Sequence, residues 1–189
     1  MEGLSRKEQI KQVAAHMFRK RGYKATSMRD IASEMGMEAP SLYNHIAGKQ
    51  QILSELLMMI ANAFTEGMKQ IKSSPLDSLQ KLERLIKLHV DITIDHTDAV
   101  SLLTNEWVHM EGINARKFKK LKNDYEKDFK RILETCVFEG KLKKVNVDLA
   151  LFSILSTLRW LYSWYSKNPK VNRIKLEQQM TLLLVPIID

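Results

Sequence analysis

The sequence predicts an all-α protein with a small N-terminal and a larger C-terminal unit, and three observations carry that prediction. Apolar residues recur at the three- and four-residue spacing of helices along nearly the whole chain. Gly and Pro are scarce, 7 and 4 in 189 residues, while Leu, Lys, Glu, Ile and Met are plentiful. No strand-length run of alternating polarity, internal repeat or low-complexity tract interrupts the pattern.

Each element is bounded by its ends. Ser5-x-x-Glu8 is a capping box and Gly22 suits a helix C-terminus. Between them Ile10, Val13, Ala14, Met17 and Phe18 share a face, which predicts a first helix over about 6–21. Ser27-x-x-Asp30 is a related cap signal and opens a short helix through Met28, Ile31, Ala32 and Met35, which Gly36 breaks. A second short helix is expected from Glu38 or Ala39 to Asn44, with Pro40 in the first turn, where a missing N–H is tolerated. Ala47-Gly48 interrupts again. A long helix then runs from about Lys49, with Ile52, Leu53, Leu56, Leu57, Ile60, Phe64, Met68 and Ile71 on one stripe, and Ser73-Ser74-Pro75 ends it. Leu79, Leu82, Ile86, Val90 and Ile94 mark a helix of about 77–95, and residues 98–110 read as helical up to Gly112. Phe118, Leu121, Tyr125, Phe129, Ile132 and Cys136 mark a long amphipathic helix that ends at Gly140. Helix 149–166, capped by Asp148 and stopped by Asn168-Pro169, is apolar nearly all round and is expected to be buried on several sides. A last helix covers about 172–185.

Composition narrows the function classes. A net charge of +8 and a pI of about 9.5 suit a polyanionic partner, or a merely basic soluble protein. The single cysteine, Cys136, excludes an intrachain disulfide and fits a reducing cytoplasm. The first residues contain no apolar signal core, so a cytoplasmic protein is expected. The most apolar stretch, Leu149 to Tyr165, is short for a membrane span and carries Arg159, so no membrane association is expected. Five histidines (16, 45, 89, 96 and 109) lie near acidic residues such as Asp95, Glu106 and Glu111, but none forms an H-E-x-x-H spacing. His89 and His96, seven apart, could share a helix face. There is no glycine-rich phosphate loop and no nucleophile elbow. No catalytic residue, metal site or cofactor is therefore expected, and an enzyme is disfavoured.

The two short helices around Gly36 have the proportions of a helix-turn-helix, in which neither helix is stable alone. Ala32 is small where the pair approaches closely, Gly36 supplies the left-handed turn, and Ile31 and Leu42 can pack the pair against the first helix. The stretch Ala15-His16-Met17-Phe18-Arg19-Lys20-Arg21-Gly22-Tyr23-Lys24-Ala25-Thr26-Ser27-Met28-Arg29-Asp30-Ile31-Ala32 resembles the entry of the TetR family of regulators. Gly36 through Ile46, followed by Gly48-Lys49 and Gln51-Ile52-Leu53, resembles that family's recognition helix and exit. The close match covers about residues 6–60. The resemblance implies an N-terminal three-helix helix-turn-helix DNA-binding domain over 1–50, a connecting helix over about 49–72, and a helical ligand-binding and dimerisation domain over 51–189.

Residue chemistry assigns roles on double-stranded DNA. Ser41 and Asn44 can hydrogen-bond base edges, and Ala39 or Pro40 can meet a thymine methyl. Tyr43 resembles the family's phosphate-contacting tyrosine. His45 suits a structural, phosphate or base contact equally. Thr26, Ser27 and Arg29 are candidates for clamping phosphate, Ser27 being first a helix cap. Lys49 opens the next helix, where a cation and free N–H groups favour phosphate. Charge does not locate this site. Residues 1–50 hold nine Lys/Arg against five Asp/Glu, whereas 115–145 hold eleven against five. That second stretch reads as a solvated helix face or a basic rim for an anionic ligand.

The resemblance implies a homodimer on a palindromic operator and a small-molecule effector. Helices 149–166 and 172–187, the latter with Leu176, Met180, Leu183, Leu184 and Ile187, form the natural dimer surface as a four-helix bundle. The run Leu158-Arg159-Trp160-Leu161-Tyr162-Ser163-Trp164-Tyr165, with Gly140-Lys141-Leu142 and Asp148 upstream, resembles the acyl-CoA-responsive branch. Arg159, Trp160, Trp164 and Trp107 are thus candidate ligand residues. A buried Arg159 needs an anionic partner, which a ligand or an intrachain Glu or Asp supplies equally. Met58, Met59, Met68 and Met110 suit an adaptable pocket or an ordinary core.

Overall fold

Helix ends in this chain are set by short-range hydrogen bonds. In the computed structural model, which describes residues 3–185, nine α-helices and one 3₁₀ turn follow in order, with no β-strand among those residues. Helix α1 (Arg6–Arg21) opens on the Ser5–Glu8 box, the Ser5 N–H donating to Glu8 Oε2 at 2.9 Å. Helix α2 (Met28–Glu34) opens on the same device, the Ser27 N–H donating to Asp30 Oδ2 at 2.7 Å. Gly36 follows with φ +63°, a conformation that costs other residues about 1–2 kcal/mol. Helix α3 (Ala39–Tyr43) has no side-chain cap at Glu38 and relies on Pro40 in its first turn.

Helix α4 (Lys49–Ser73) is one uninterrupted rod of 25 residues. Helix α5 (Ser78–Asp95) begins on an Asp77–Gln80 capping box just beyond the Ser73-Ser74-Pro75 break. The helix expected over 98–110 is split into α6 (Thr97–Asn105) and a 3₁₀ turn at Trp107–His109. Helices α7 (Gly112–Phe138), α8 (Val147–Tyr165) and α9 (Arg173–Leu184) complete the body. Asn146, and not Asp148, caps α8: its side chain accepts from the Leu149 N–H at 3.1 Å, while Asp148 sits in the first turn and pairs with Lys130 at 2.6 Å. Ile187 lies outside the described residues.

The apolar stripes close into two clusters. Phe18, Ile31 and Leu42 centre the head formed by α1–α3, and the cluster continues through Ile52, Leu53, Leu57 and Ile60 of α4 to Val100 and Leu102 of α6. The core therefore does not break at residue 50. A second cluster joins Leu82 and Ile86 of α5, Phe129 of α7, Leu155 and Leu158 of α8, and Leu176 and Met180 of α9. Helix α4 packs on α5 and α7, while α6 is held between α1 and α8. Gly67 permits the α4–α5 approach, since a Cβ there would come within 2.5 Å of Leu88 Cδ2.

Lys49 corrects one expectation. Its ammonium turns inward, donating to the carbonyls of Tyr23 at 2.7 Å and Thr26 at 2.8 Å, and lies 4.3 Å from the centre of the Tyr23 ring. Those carbonyls belong to the loop between α1 and α2, where the Tyr23 carbonyl otherwise takes only a long bond of 3.3 Å from the Thr26 N–H. The ammonium pins the start of α4 to the loop and is not directed at phosphate. Replacing Lys49 by Met keeps the aliphatic stem and removes these charge-assisted bonds. The unfolding free energy of the DNA-free protein is expected to fall by about 1.5–3 kcal/mol. Urea denaturation measures this, and an unchanged midpoint would show that the ammonium does not hold the loop.

Candidate functional site

Helix α3 buries one side chain, Leu42, and leaves the others outside. Pro40, Ser41, Asn44 and His45 are exposed, Ala39 is half-buried, and Tyr43 is 53% exposed although aromatic. An aromatic ring left in water beside free hydroxyl and amide groups suits a helix that enters a groove. Ser27 and Arg29 are exposed at the start of α2, and Arg29 makes no ion pair among the described residues. Thr26 is different. It is buried, and its hydroxyl donates to the Gly22 carbonyl at 2.9 Å, so it braces the loop and does not offer its side chain to phosphate.

Beneath the head, α4, α5, α6, α7 and α8 enclose a mainly apolar cavity of about 90 Å³. Ala61 and Phe64 of α4, Val100 and Leu103 of α6, Phe118 of α7 and Leu155 of α8 are among the apolar residues of its wall. Arg159 reaches this cavity. It is only half-buried, and its anionic partner is Glu126 of α7, which also pairs with Lys122 at 3.7 Å.

The tryptophans lie elsewhere. Trp107 is one layer out, stacked on Phe118 with ring centres 6.2 Å apart, and the Lys122 ammonium lies 5.4 Å from its ring centre. Trp160 and Trp164 are 56% and 48% exposed and do not line the cavity. They continue a stripe on the outer face of α8 that includes Leu149 and Phe152, and Ile174, Leu182 and Leu183 on α9 are exposed as well. Helix α8 is thus covered on its inner face alone, because its periodicity gives two apolar faces and one chain covers only one of them.

Two features of the site were not singled out in the sequence. Asp98, in the first turn of α6, takes ion pairs from Arg19 at 2.6 Å and His16 at 3.0 Å, both on α1. The helix that walls the cavity is thereby tied to the head. The second feature is a polar spot inside the cavity. His89 Nε2 and the Tyr125 hydroxyl share a hydrogen bond of 2.9 Å, surrounded by Phe64 and Phe129. Tyr125 stands on the apolar stripe of its helix, and a polar residue on such a stripe was the available signal, whereas the sequence sets His89 beside His96. His96 ends α5 and is not its partner.

Burial, with the Arg159 charge adding to it, pushes the His89 imidazole down from 6.5 to about 3. Burial also holds the Tyr125 phenol well above its usual range. Both groups are neutral at physiological pH. The unfolded chain takes up a proton on His89 below about 6.5, whereas the folded one does so only near 3. His89 therefore favours the folded state above about pH 6.5, and that contribution falls away between about 6.5 and 3 as the pH drops. His89→Gln is expected to flatten this part of the stability curve, whose slope in the wild type reaches at most about 1.4 kcal/mol per pH unit. Urea midpoints across that range measure the effect, and identical slopes would refute it.

Comparison with known proteins agrees with this architecture. Residues 10–56 match the family described as bacterial regulatory proteins, tetR family, and residues 75–188 match a tetracyclin repressor-like C-terminal domain. The HTH-type transcriptional repressor KstR2 of Mycolicibacterium smegmatis is 28% identical over 184 residues, 96% of this chain and 89% of that protein. The structure of the ketosteroid transcriptional regulator KstR2 of Mycobacterium tuberculosis superimposes with a TM-score of 0.88 at 25% identity, over 95% of this chain and 93% of that one. AibR, solved in complex with isovaleryl coenzyme A and operator DNA, shares the fold at a TM-score of 0.80 and 21% identity, over 97% and 100% of the two chains. An exposed recognition helix on a three-helix head, a connecting rod and a cavity-bearing helical body, matched by family models over most of its length, place this chain in the TetR family of bacterial regulatory proteins.

Proposed function

We propose that the chain is a homodimeric transcriptional repressor that holds a palindromic operator through α3 and releases it when an amphipathic, largely apolar effector enters the cavity. The observation that carries this reading is the composition of the cavity wall. Ala61 and Phe64 come from α4, the rod that begins under the head, and Val100 and Leu103 from α6, the helix tied to α1 through Asp98. On this reading an effector larger than the cavity of about 90 Å³ displaces these helices as it binds. Occupancy and head position are then two descriptions of one equilibrium. A preference of about 1.4 kcal/mol for the displaced state lowers operator affinity tenfold.

The exposed apolar stripe on α8 and α9 supports the dimer, since an isolated chain would leave Leu149, Phe152, Trp160 and Trp164 against water. Two heads are needed for half-sites about 34–36 Å apart. Repression is the activity named for the KstR2 relatives. An acyl-CoA ester is the first effector class to test, because Arg159 and Lys122 border the cavity and can exchange Glu126 for an anionic ligand group. The operator places the protein in the cytoplasm.

A fluorescence anisotropy titration on the DNA upstream of the chain's own gene, with and without acyl-CoAs, tests the reading. Salt-sensitive specific binding that weakens with one of these compounds is expected. Tyr43→Ala combined with Asn44→Ala is expected to keep the helical circular dichroism and to lose at least about thirtyfold in specific affinity, from two contacts of about 1–3 kcal/mol each. Specific binding unchanged in the double variant would overturn the assignment of α3.

A further inference from the structure

The cavity contains an oxygen atom with nothing to bond. Thr93 on α5 is 1% exposed, lines the cavity, and its hydroxyl has no hydrogen-bond partner. Threonine in a helix ordinarily returns its hydroxyl to the carbonyl four residues back. Thr65, Thr97, Thr135 and Thr157 all do so here, at 2.7–3.0 Å. Thr93 does not. One turn earlier on the same face of α5 stands His89, bonded at 2.9 Å to the Tyr125 hydroxyl, and both of these residues also line the cavity. One turn of α5, with Tyr125 of α7 facing it, thus places three uncharged polar groups beside Phe64, Val100, Leu103 and Leu155 of the cavity wall.

We propose that Thr93, with the His89–Tyr125 pair beside it, is the hydrogen-bonding subsite for an uncharged oxygen on the apolar body of the effector, a carbonyl or a hydroxyl. The inference rests on the cavity being the effector site, and it adds what the effector must carry inside that cavity. A hydroxyl both donates and accepts, so Thr93 serves either kind of oxygen. A charged group does not belong there. His89 and Tyr125 are neutral and carry no counter-charge, and the cations bordering the cavity, Arg159 and Lys122, are paired with Glu126 rather than with these groups. An apolar ligand without oxygen would leave the Thr93 hydroxyl as orphaned as it is in the empty cavity. Selection between an oxygenated and a plain hydrocarbon body therefore falls to this group.

Calorimetric titration of the full-length protein with cyclohexanone and with methylenecyclohexane tests the subsite, since the two rings differ in C=O against C=CH2. The wild type is expected to bind the ketone about tenfold more tightly. Thr93→Val is expected to bind both about equally, and to melt no lower than the wild type without ligand, because the lost hydroxyl had no partner. Equal binding of both compounds by the wild type would overturn the subsite and leave the cavity as the effector site. A ketone preference that survives Thr93→Val, or a clear loss of thermal stability in that variant, would also overturn it. Failure of both compounds to bind the wild type would remove the subsite together with the effector cavity.

Discussion

The continuity of α4 is the constraint on which the rest of the molecule depends. A helix of 25 residues keeps its internal hydrogen bonds only if it stays whole, so its two ends move together. Its first turn is fastened to the head by the Lys49 ammonium, and its middle supplies Ala61 and Phe64 to the cavity. Helix α6 adds a second strut from cavity to head through Asp98. No apolar gap separates head from body, because Ile52, Leu53, Leu57 and Ile60 belong to the cluster that contains Phe18 and Leu42. A close-packed core of this kind passes a displacement on and does not absorb it.

The cavity shows the opposite economy. In the head, the buried Thr26 hydroxyl is satisfied locally by the Gly22 carbonyl. Inside the cavity the chain accepts a buried imidazole that burial drives toward the neutral form and a threonine hydroxyl with no partner. Each such group costs stability, of the order of 1–3 kcal/mol for an unsatisfied hydroxyl. That cost is placed where a molecule from outside can relieve it.

Much of the head was legible because its determinants are local. The Ser5–Glu8 and Ser27–Asp30 boxes, the left-handed Gly36 and the spacing of Ile31 and Leu42 all act within a few residues. The roles of Lys49 and Thr26 were not legible, since both answer to the carbonyls of the loop after α1, a tertiary circumstance. The start of α8 was placed at Asp148, two residues beyond the true cap Asn146, and Asp148 pairs with Lys130 instead. Trp160 and Trp164 were read toward the ligand from a short resemblance, and a sequence identifies an apolar face without saying what covers it. Residues that meet in the cavity come from helices far apart in sequence. Tyr125 is 36 positions from His89, and only the fold brings them to 2.9 Å.

The account's central claim is that filling the cavity moves the heads. Ala61 lines the cavity from α4, so Ala61→Phe places a ring there without any effector. Spin labels attached through Lys24→Cys on the exposed face of each head report the separation within the proposed dimer, and the native Cys136 is buried and stays unlabelled. Pulsed electron–electron resonance should show the mean label distance shifted by a few ångström in the Ala61→Phe protein, with operator affinity reduced alongside. An unchanged distance distribution in a folded, cavity-filled dimer, or a protein that gives no inter-label distance because it is a monomer, would contradict it.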